Sequence, residues 1–347
     1  MNRASLLRLA HRALRLGPAD LERHATARRV LCPAVPYRAQ PALYPAGALE
    51  RITALSPWRD RDTEWALIEG RGGEHAATEA LEIPDVVLAT GWLYRKGARA
   101  RVGLGDSRPG QRLPPRRELP DAHLVATWTG ADFFGNFMQD SLALEMLPPE
   151  GAPRIGAPVK PYQHAPGYRA LLDLPQPEMP QHVLIRRLTL YRDFAQNALK
   201  VERYRRLRAR LRAALGPGQP PAGIFLRRGG TGSERLLTNE AALTAYLAGL
   251  GFDILDPEAL TPAEIARRAL DAPVVVAVEG SHLGHAIYTL AEAGAFLVIQ
   301  PPDRFAMPYK EFADCMEMRF GFVLGRAEPG GFAVDLDDIA QMLDRLL

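Results

Sequence analysis

Between Gly223 and Pro302 short apolar runs alternate with amphipathic stretches, and this alternation restricts the fold more than any other feature of the chain. Gly223 to Leu226, Phe252 to Leu255, Val274 to Val278 and Ala295 to Ile299 have the length and texture of strands buried on both faces. The stretches between them have the period of helices. Thr238-Asn239-Glu240 opens one that reaches about Leu250. Thr261-Pro262-Ala263-Glu264 opens a second with the residues of a capping box, and His282 to Ala293 reads as a third. Strands separated by helices cannot pair as hairpins. They must run parallel, joined by right-handed crossovers. The C-terminal half is therefore expected to be a doubly wound parallel sheet, in which ligands bind beyond the carboxyl ends of the strands.

The remainder is less regular. Leu49 to Leu55, Glu64 to Glu69 and Val86 to Leu93 are strand-like runs among turn-rich pieces, and 106–120 reads as a loop. His123 to Trp128 and Val183 to Tyr191 read as strands, and the segment after Phe133 as a helix. Lys200 to Leu215 is an amphipathic helix whose arginines, Arg203, Arg205, Arg206, Arg208, Arg210 and Arg212, fall mostly off its apolar stripe. With the aromatic among them, Tyr204, on the apolar stripe and a net charge of only +3, they read as a solvated face, and no nucleic-acid partner is expected. VDLDDIAQMLDRLL closes the chain as a capped helix. At 347 residues there is room for two domains. The expected division is 1–200, irregular mixed α/β; 201–330, Rossmann-like; and 331–347, a helix packing back on the N-terminal domain.

No apolar run approaches the roughly 20 residues needed to cross a bilayer. The N-terminal MNRASLLRLAHRALRLG lacks a signal-peptide core. Leu6, Leu9, Ala13 and Leu16 share one helical face, with Arg3, Arg8, Arg12 and Arg15 elsewhere. Such a helix docks on the body of the protein or rests on an anionic membrane surface. The expected location is cytoplasmic, with peripheral contact at the inner face of the membrane as the second reading. Cys32 and Cys315 are far apart and fit no metal spacing, which suits reduced thiols.

Three constellations carry candidate chemistry. At the end of the Val274 run, Glu279-Gly280-Ser281-His282 is followed by His285. Gly280 permits close backbone approach, Ser281 suits a helix cap, and the N–H groups of a helix beginning at His282 would suit a phosphate. At the end of the Gly223 run, Arg227 and Arg228 lead into a glycine-rich loop, Arg235, and then Asn239 and Glu240. Arginine forks fit phosphate oxygens. The loop has neither the Walker A pattern nor the dinucleotide GxGxxG. The third is DFFGNFMQD, in which Asn136 and Asp140 lie four apart on a helical segment and Asp140 could accept a proton from a hydroxyl.

These motifs, in this order, resemble glycosyltransferase family 61, the DUF563-type sequences that include capsular-polysaccharide enzymes. The resemblance runs from roughly Leu43 to Leu343 and is strongest from Ile224 to Pro302. Arg227 falls on the arginine of the family's Ser-Arg strand end. Arg235, Asn239 and Glu240 fall on its Arg-x-x-x-Asn-Glu, and Gly280, Ser281 and Leu283 on its Gly-Ala-x-Leu. Asp140 falls on the aspartate that the family would make the catalytic base. Asn136 and Glu279 stand where the family usually has histidines, and His285 near a usual asparagine.

The resemblance implies a GT-B-like architecture, two α/β domains facing a cleft, with the acceptor and Asp140 on the N-terminal side and a nucleotide sugar on the Rossmann-like side. It implies an inverting glycosyltransferase that moves a hexosyl or pentosyl group from a nucleotide-sugar donor to a glycan or other hydroxyl acceptor, in surface or capsular polysaccharide synthesis. Arg227, Arg228, Arg235, Asn239, Glu240, Glu279, Gly280, Ser281, His282 and His285 would form the donor side, with Asn136 supporting the cleft. The reading calls for no cofactor and no metal; Asp60-Arg61-Asp62, the one Asp-x-Asp in a candidate loop, reads as a solvated turn. The alternative is a catalytically inactive relative that binds polysaccharide or nucleotide. The scheme requires the Arg227 strand end and the Gly280 turn to line one wall.

Overall fold

A computed structural model describes residues 20–105, 117–230 and 235–347. The amphipathic segment at the N-terminus, most of the 106–120 loop and part of the glycine-rich loop after Arg228 lie outside these residues. The protein is a mixed α/β chain that divides into two compact units. Unit 1 comprises 1–34, 76–165 and 173–203, and unit 2 comprises 35–75, 166–172 and 204–347. Among the described residues no helix is long and apolar enough to cross a membrane.

Unit 1 is built on an eight-stranded mixed sheet. Its centre is an antiparallel pair, Thr78–Ala89 against Val183–Arg192. Trp92–Arg95 and Ala98–Arg101 extend it on one side, and the short parallel strands Ala122–Leu124 and Arg154–Ile155 on the other. Ile83, Val86, Leu88, Leu124, Val183, Ile185 and Leu188 are buried in one apolar cluster. The strand expected at Val86 to Leu93 is two strands that meet at a turn. Thr90 and Gly91 both have positive φ there, and at Gly91 a Cβ would lie 2.4 Å from the Leu104 carbonyl oxygen.

Unit 2 holds a five-stranded parallel sheet of Ile224–Leu226, Asp253–Leu255, Val274–Val278, Ala295–Gln300 and Arg319–Leu324. Counted in chain order, the spatial order is second, first, third, fourth, fifth. Every residue of the first, third and fourth strands is buried, which is why these runs read as unbroken apolar stretches. The capping box forms as its sequence predicts. Thr261 accepts from Glu264 N at 3.3 Å, and Glu264 accepts from Thr261 N at 2.8 Å.

Several expectations are corrected. Glu64 to Glu69 is not a strand but part of a helix, Arg61–Glu69, and Leu49 to Leu55 begins as a 3-10 turn, Ala48–Arg51. The supposed solvated turn at Asp60 is that helix's cap, with Asp60 accepting from Thr63 N at 2.9 Å. The final helix, Leu336–Leu346, packs Ile339, Met342, Leu343 and Leu346 into the core of the five-stranded sheet, so it belongs to unit 2. Residues 35–75 join unit 2 as well, so the chain does not divide once near residue 200. The arginine helix, Ala198–Leu215, is not solvated along its whole charged side, because Arg203 and Arg208 are buried.

Candidate functional site

In unit 1, Thr127 caps the helix Trp128–Asp132 by accepting from Gly130 N at 3.0 Å. After the extended Phe133 the chain resumes as a helical run that loosens into a π turn over Phe137–Ser141. A π turn inserts a residue into the helical repeat and often marks a functional site. Asp140 sits in that turn. Its two oxygens are held separately: Asn136 Nδ2 donates to Oδ2 at 3.0 Å, and Lys200 Nζ donates to Oδ1 at 2.7 Å. The two residues share a face, as their spacing of four implies. Lys200 was not anticipated, since it reads as the first charge of a solvated helix.

Lys200 has no exposed side-chain surface, whereas Asp140 keeps 17% of its own. A buried ammonium needs further acceptors, and the Asp193 carbonyl supplies one at 3.0 Å. The Asp193 carboxylate takes a bidentate fork from the buried Arg203, at 2.7 and 2.8 Å, and a hydrogen bond from Thr78 at 3.3 Å. Two cations and two carboxylates therefore form one buried network around the base of Asp140. The carboxylate is thereby held in one orientation with an edge partly exposed.

In unit 2 the strands ending at Leu226 and Val278 are direct neighbours, with Leu226 beside Ala277. The chain order reverses at this pair. Such a reversal opens a crevice at the carboxyl ends of the strands, where ligands of parallel sheets bind. The Arg227 strand end and the Gly280 turn thus meet as the sequence scheme requires.

The two arginines after Leu226 point to different partners. Arg227 donates to Glu240 at 2.8 Å and lies 3.6 Å from Asp256, which follows the Asp253–Leu255 strand. Arg228 turns the other way and donates to the Glu279 carbonyl at 3.1 Å. Arg235 reaches the same carbonyl at 2.7 Å and lies 3.0 Å from Glu279 Oε2. Gly280 makes room for this convergence: a Cβ there would lie 2.0 Å from Arg228 Nη1 and 3.1 Å from Arg235 Nη1.

The structure therefore brings together Arg228, Arg235, Glu279, Gly280 and His282. The remaining donor-side candidates have other partners. Asn239 spends both ends of its amide on the Val334 backbone, at 2.8 and 3.1 Å. Glu240 is paired with Arg227. The Ser281 carbonyl accepts from Tyr309 at 3.3 Å, and His285 Nδ1 is 2.7 Å from the buried Tyr168 hydroxyl. The segment after Gly280 is a six-residue 3-10 turn, Ser281–Ala286, and not the long α-helix expected. The dipole of so short a turn is too small to carry anion binding by itself.

The electrostatics of this cluster are unusual for a folded interior. Burial pushes the Glu279 carboxyl up, against the positive charges of Arg235, Arg228, Arg304 and Arg59. Burial and the neighbouring Arg235 push Arg228 down to about 10, and burial lowers Arg235 in the same direction. Burial, with Arg228 and Arg235 nearby, drives His282 down to about 3 although it is hydrogen bonded to the Leu226 backbone. Eight buried side-chain atoms lack hydrogen-bond partners among the described residues. Five belong to this cluster: Arg59 Nη2, Arg235 Nε, Glu279 Oε2, His282 Nε2 and Arg304 Nε. Buried polar atoms are nearly always satisfied, so such a concentration singles this cluster out as the candidate ligand site. Arg59 and Arg304 were not singled out from the sequence. The chain pairing of Thr53 with Pro302 and of Ser56 with Phe305 brings their segments together across about 250 residues of sequence, beyond the reach of any local pattern.

No curated protein matches the chain. The family model of glycosyltransferase 61 matches residues 134–296, a span that contains Asp140, Lys200, Arg228, Arg235 and Glu279. The resemblance read from the motifs is thereby shown over this stretch of the chain, which is similar to glycosyltransferase family 61.

Proposed function

We propose that the protein is an inverting glycosyltransferase that takes its sugar from a nucleotide-sugar donor. The observation that carries this reading is the convergence of Arg228 and Arg235 on the Glu279–Gly280 turn, at the point where the order of the parallel strands reverses. Four guanidinium groups, Arg235, Arg228, Arg304 and Arg59, act on the Glu279 carboxylate, and even with Arg59 paired to Glu64 the cluster carries surplus positive charge. A diphosphate is an apt occupant, since arginine donors in a desolvated setting stabilise the charge that grows on a leaving phosphate. One preorganised donor of this kind contributes on the order of 3 kcal/mol in a transition state.

In the reaction the acceptor oxygen forms a bond to the anomeric carbon. The bond from that carbon to the phosphate oxygen breaks, and its electron pair leaves with the nucleotide. Asp140 takes the proton of the acceptor hydroxyl, oriented for the task by Asn136 and Lys200. The acceptor is a glycan or another hydroxyl compound, and the transferred group a hexose or pentose.

The test is a screen of nucleotide sugars for concentration-dependent thermal stabilisation, followed by a nucleotide-release assay on the best donor. Stabilisation by one donor class, with release that depends on Asp140, supports the reading. Stabilisation without release by the wild-type chain would instead mean a binding protein on the same fold.

A further inference from the structure

The five unsatisfied atoms of the Glu279 cluster are not all donors. Arg59 Nη2, Arg235 Nε and Arg304 Nε call for a ligand acceptor, and an oxyanion supplies it. Glu279 Oε2 and His282 Nε2 call for the opposite. Glu279 Oε2 lies 3.0 Å from Arg235 Nη1 as an ion pair but makes no hydrogen bond. His282 is hydrogen bonded to the Leu226 backbone, and because Nε2 has no partner that bond is made through Nδ1. A carbonyl can only accept, so Nδ1 carries the proton and Nε2 presents a lone pair. The imidazole stays neutral at ordinary pH, since burial and the two arginines lower its basicity.

We infer that Glu279 Oε2 and His282 Nε2 are paired acceptors for hydroxyl groups on the ligand whose phosphate the arginines hold, and so determine specificity for a hydroxylated carbon skeleton beside the anion. This rests on the donor reading above and refines it. The ligand class is a sugar phosphate, the hydroxyls coming from the nucleotide's ribose or from the transferred sugar. The same atoms explain why a glutamate is tolerated in an arginine-rich anion site. A carboxylate facing phosphate oxygens would repel them, whereas one facing hydroxyls gains a charge-assisted hydrogen bond. A bare anion leaves both acceptors buried and unpaired, and that cost discriminates against it.

Calorimetric titration of the full chain tests this by comparing each hydroxylated probe with a deoxygenated counterpart of the same charge. The probes are inorganic pyrophosphate, uridine and guanosine diphosphates, their dideoxyribose forms, and their hexose and deoxyhexose conjugates. The wild type should bind at least one hydroxylated probe about tenfold or more tightly than its deoxygenated counterpart. Loss with the dideoxyribose forms assigns the acceptors to the ribose, and loss only with the deoxyhexose conjugates assigns them to the transferred sugar. His282→Ala and Glu279→Gln should each reduce that preference to less than about threefold, since each removes one of the two acceptors. Equal affinity of the wild type for hydroxylated and deoxygenated probes would overturn the inference, and so would an equal loss by the variants for pyrophosphate and for every other probe. The comparison made on the wild type does not depend on the variants folding. Failure of every phosphate probe to bind would overturn the donor reading itself, and this inference with it.

Discussion

Arg235 Nη1 lies 2.7 Å from the carbonyl oxygen of Glu279 and 3.0 Å from its carboxylate, and each side chain is only 9% exposed. One guanidinium therefore reads both the backbone and the side chain of the residue that ends a central strand. Arg228 shares the carbonyl from the neighbouring strand end. A buried pair that still leaves Arg235 Nε and Glu279 Oε2 without hydrogen bonds is incomplete as a structural device and suited to a ligand that completes it.

The space that Gly280 leaves is what allows the two arginines to meet. Its backbone is extended, with φ 160° and ψ 171°, a conformation open to alanine. Gly280→Ala is therefore expected to act through the displaced guanidinium, 2.0 Å from the new Cβ, and not through backbone strain. Diphosphate affinity should fall about tenfold, with little change in melting temperature. Calorimetry and a thermal melt on the same samples check both halves.

Lys200 is the fully buried partner of Asp140. Lys200→Met leaves that carboxylate without its cation and should cost about 2–3 kcal/mol of stability, since removing one member of a buried pair strands the other. Lys200→Met combined with Asp140→Asn should regain about 1 kcal/mol or more relative to Lys200→Met alone. Urea denaturation of the single and double variants measures the coupling; simple additivity would show that the pair is not energetically linked.

His282 gives the fold a specific pH dependence. Its folded value, about 3, lies below the ordinary 6.5, so the unfolded chain binds a proton that the folded chain refuses. That contribution to stability is complete above about pH 6.5 and is lost as pH falls toward 3. Denaturation midpoints of the wild type should drop through this window, and His282→Gln should have a shallower slope. Equal slopes would show that His282 protonates as readily in the folded chain as in the unfolded one.

Much of unit 2 is legible in the sequence because its strands are buried on both faces and read as unbroken apolar runs, as at Val274–Val278. The arginines and the Glu279–Gly280 turn are legible because they follow those runs directly. What the sequence hides is long-range pairing. Lys200 and Arg203 look like surface charges until Asp140, Asp193 and the Ala143 carbonyl come to them. Arg208 is buried against the Ile287 carbonyl, 79 residues away. Arg227 and Arg228 are adjacent in sequence, yet the first is claimed by Glu240 and Asp256 and the second by Glu279. Amphipathic period cannot register a polar partner that arrives from another element. For the same reason the segment after Gly280 reads as a long helix although it forms a short 3-10 turn, since its apolar residues are buried nearly all round.

Asp140→Asn keeps the shape of the side chain and removes its basicity. Turnover in a nucleotide-release assay should fall by about 10²–10⁴-fold, while donor affinity changes by no more than a few-fold. A fall in affinity with turnover otherwise preserved would make Asp140 a binding group and not the base.

The central claim is that the arginines gathered at the Glu279 turn hold the phosphate of the donor. Titration of uridine and guanosine diphosphates into the wild type and into Arg235→Met tests it most directly. The account predicts saturable binding of at least one of them to the wild type and a loss of at least about tenfold in Arg235→Met. Equal affinity in the two proteins would contradict it.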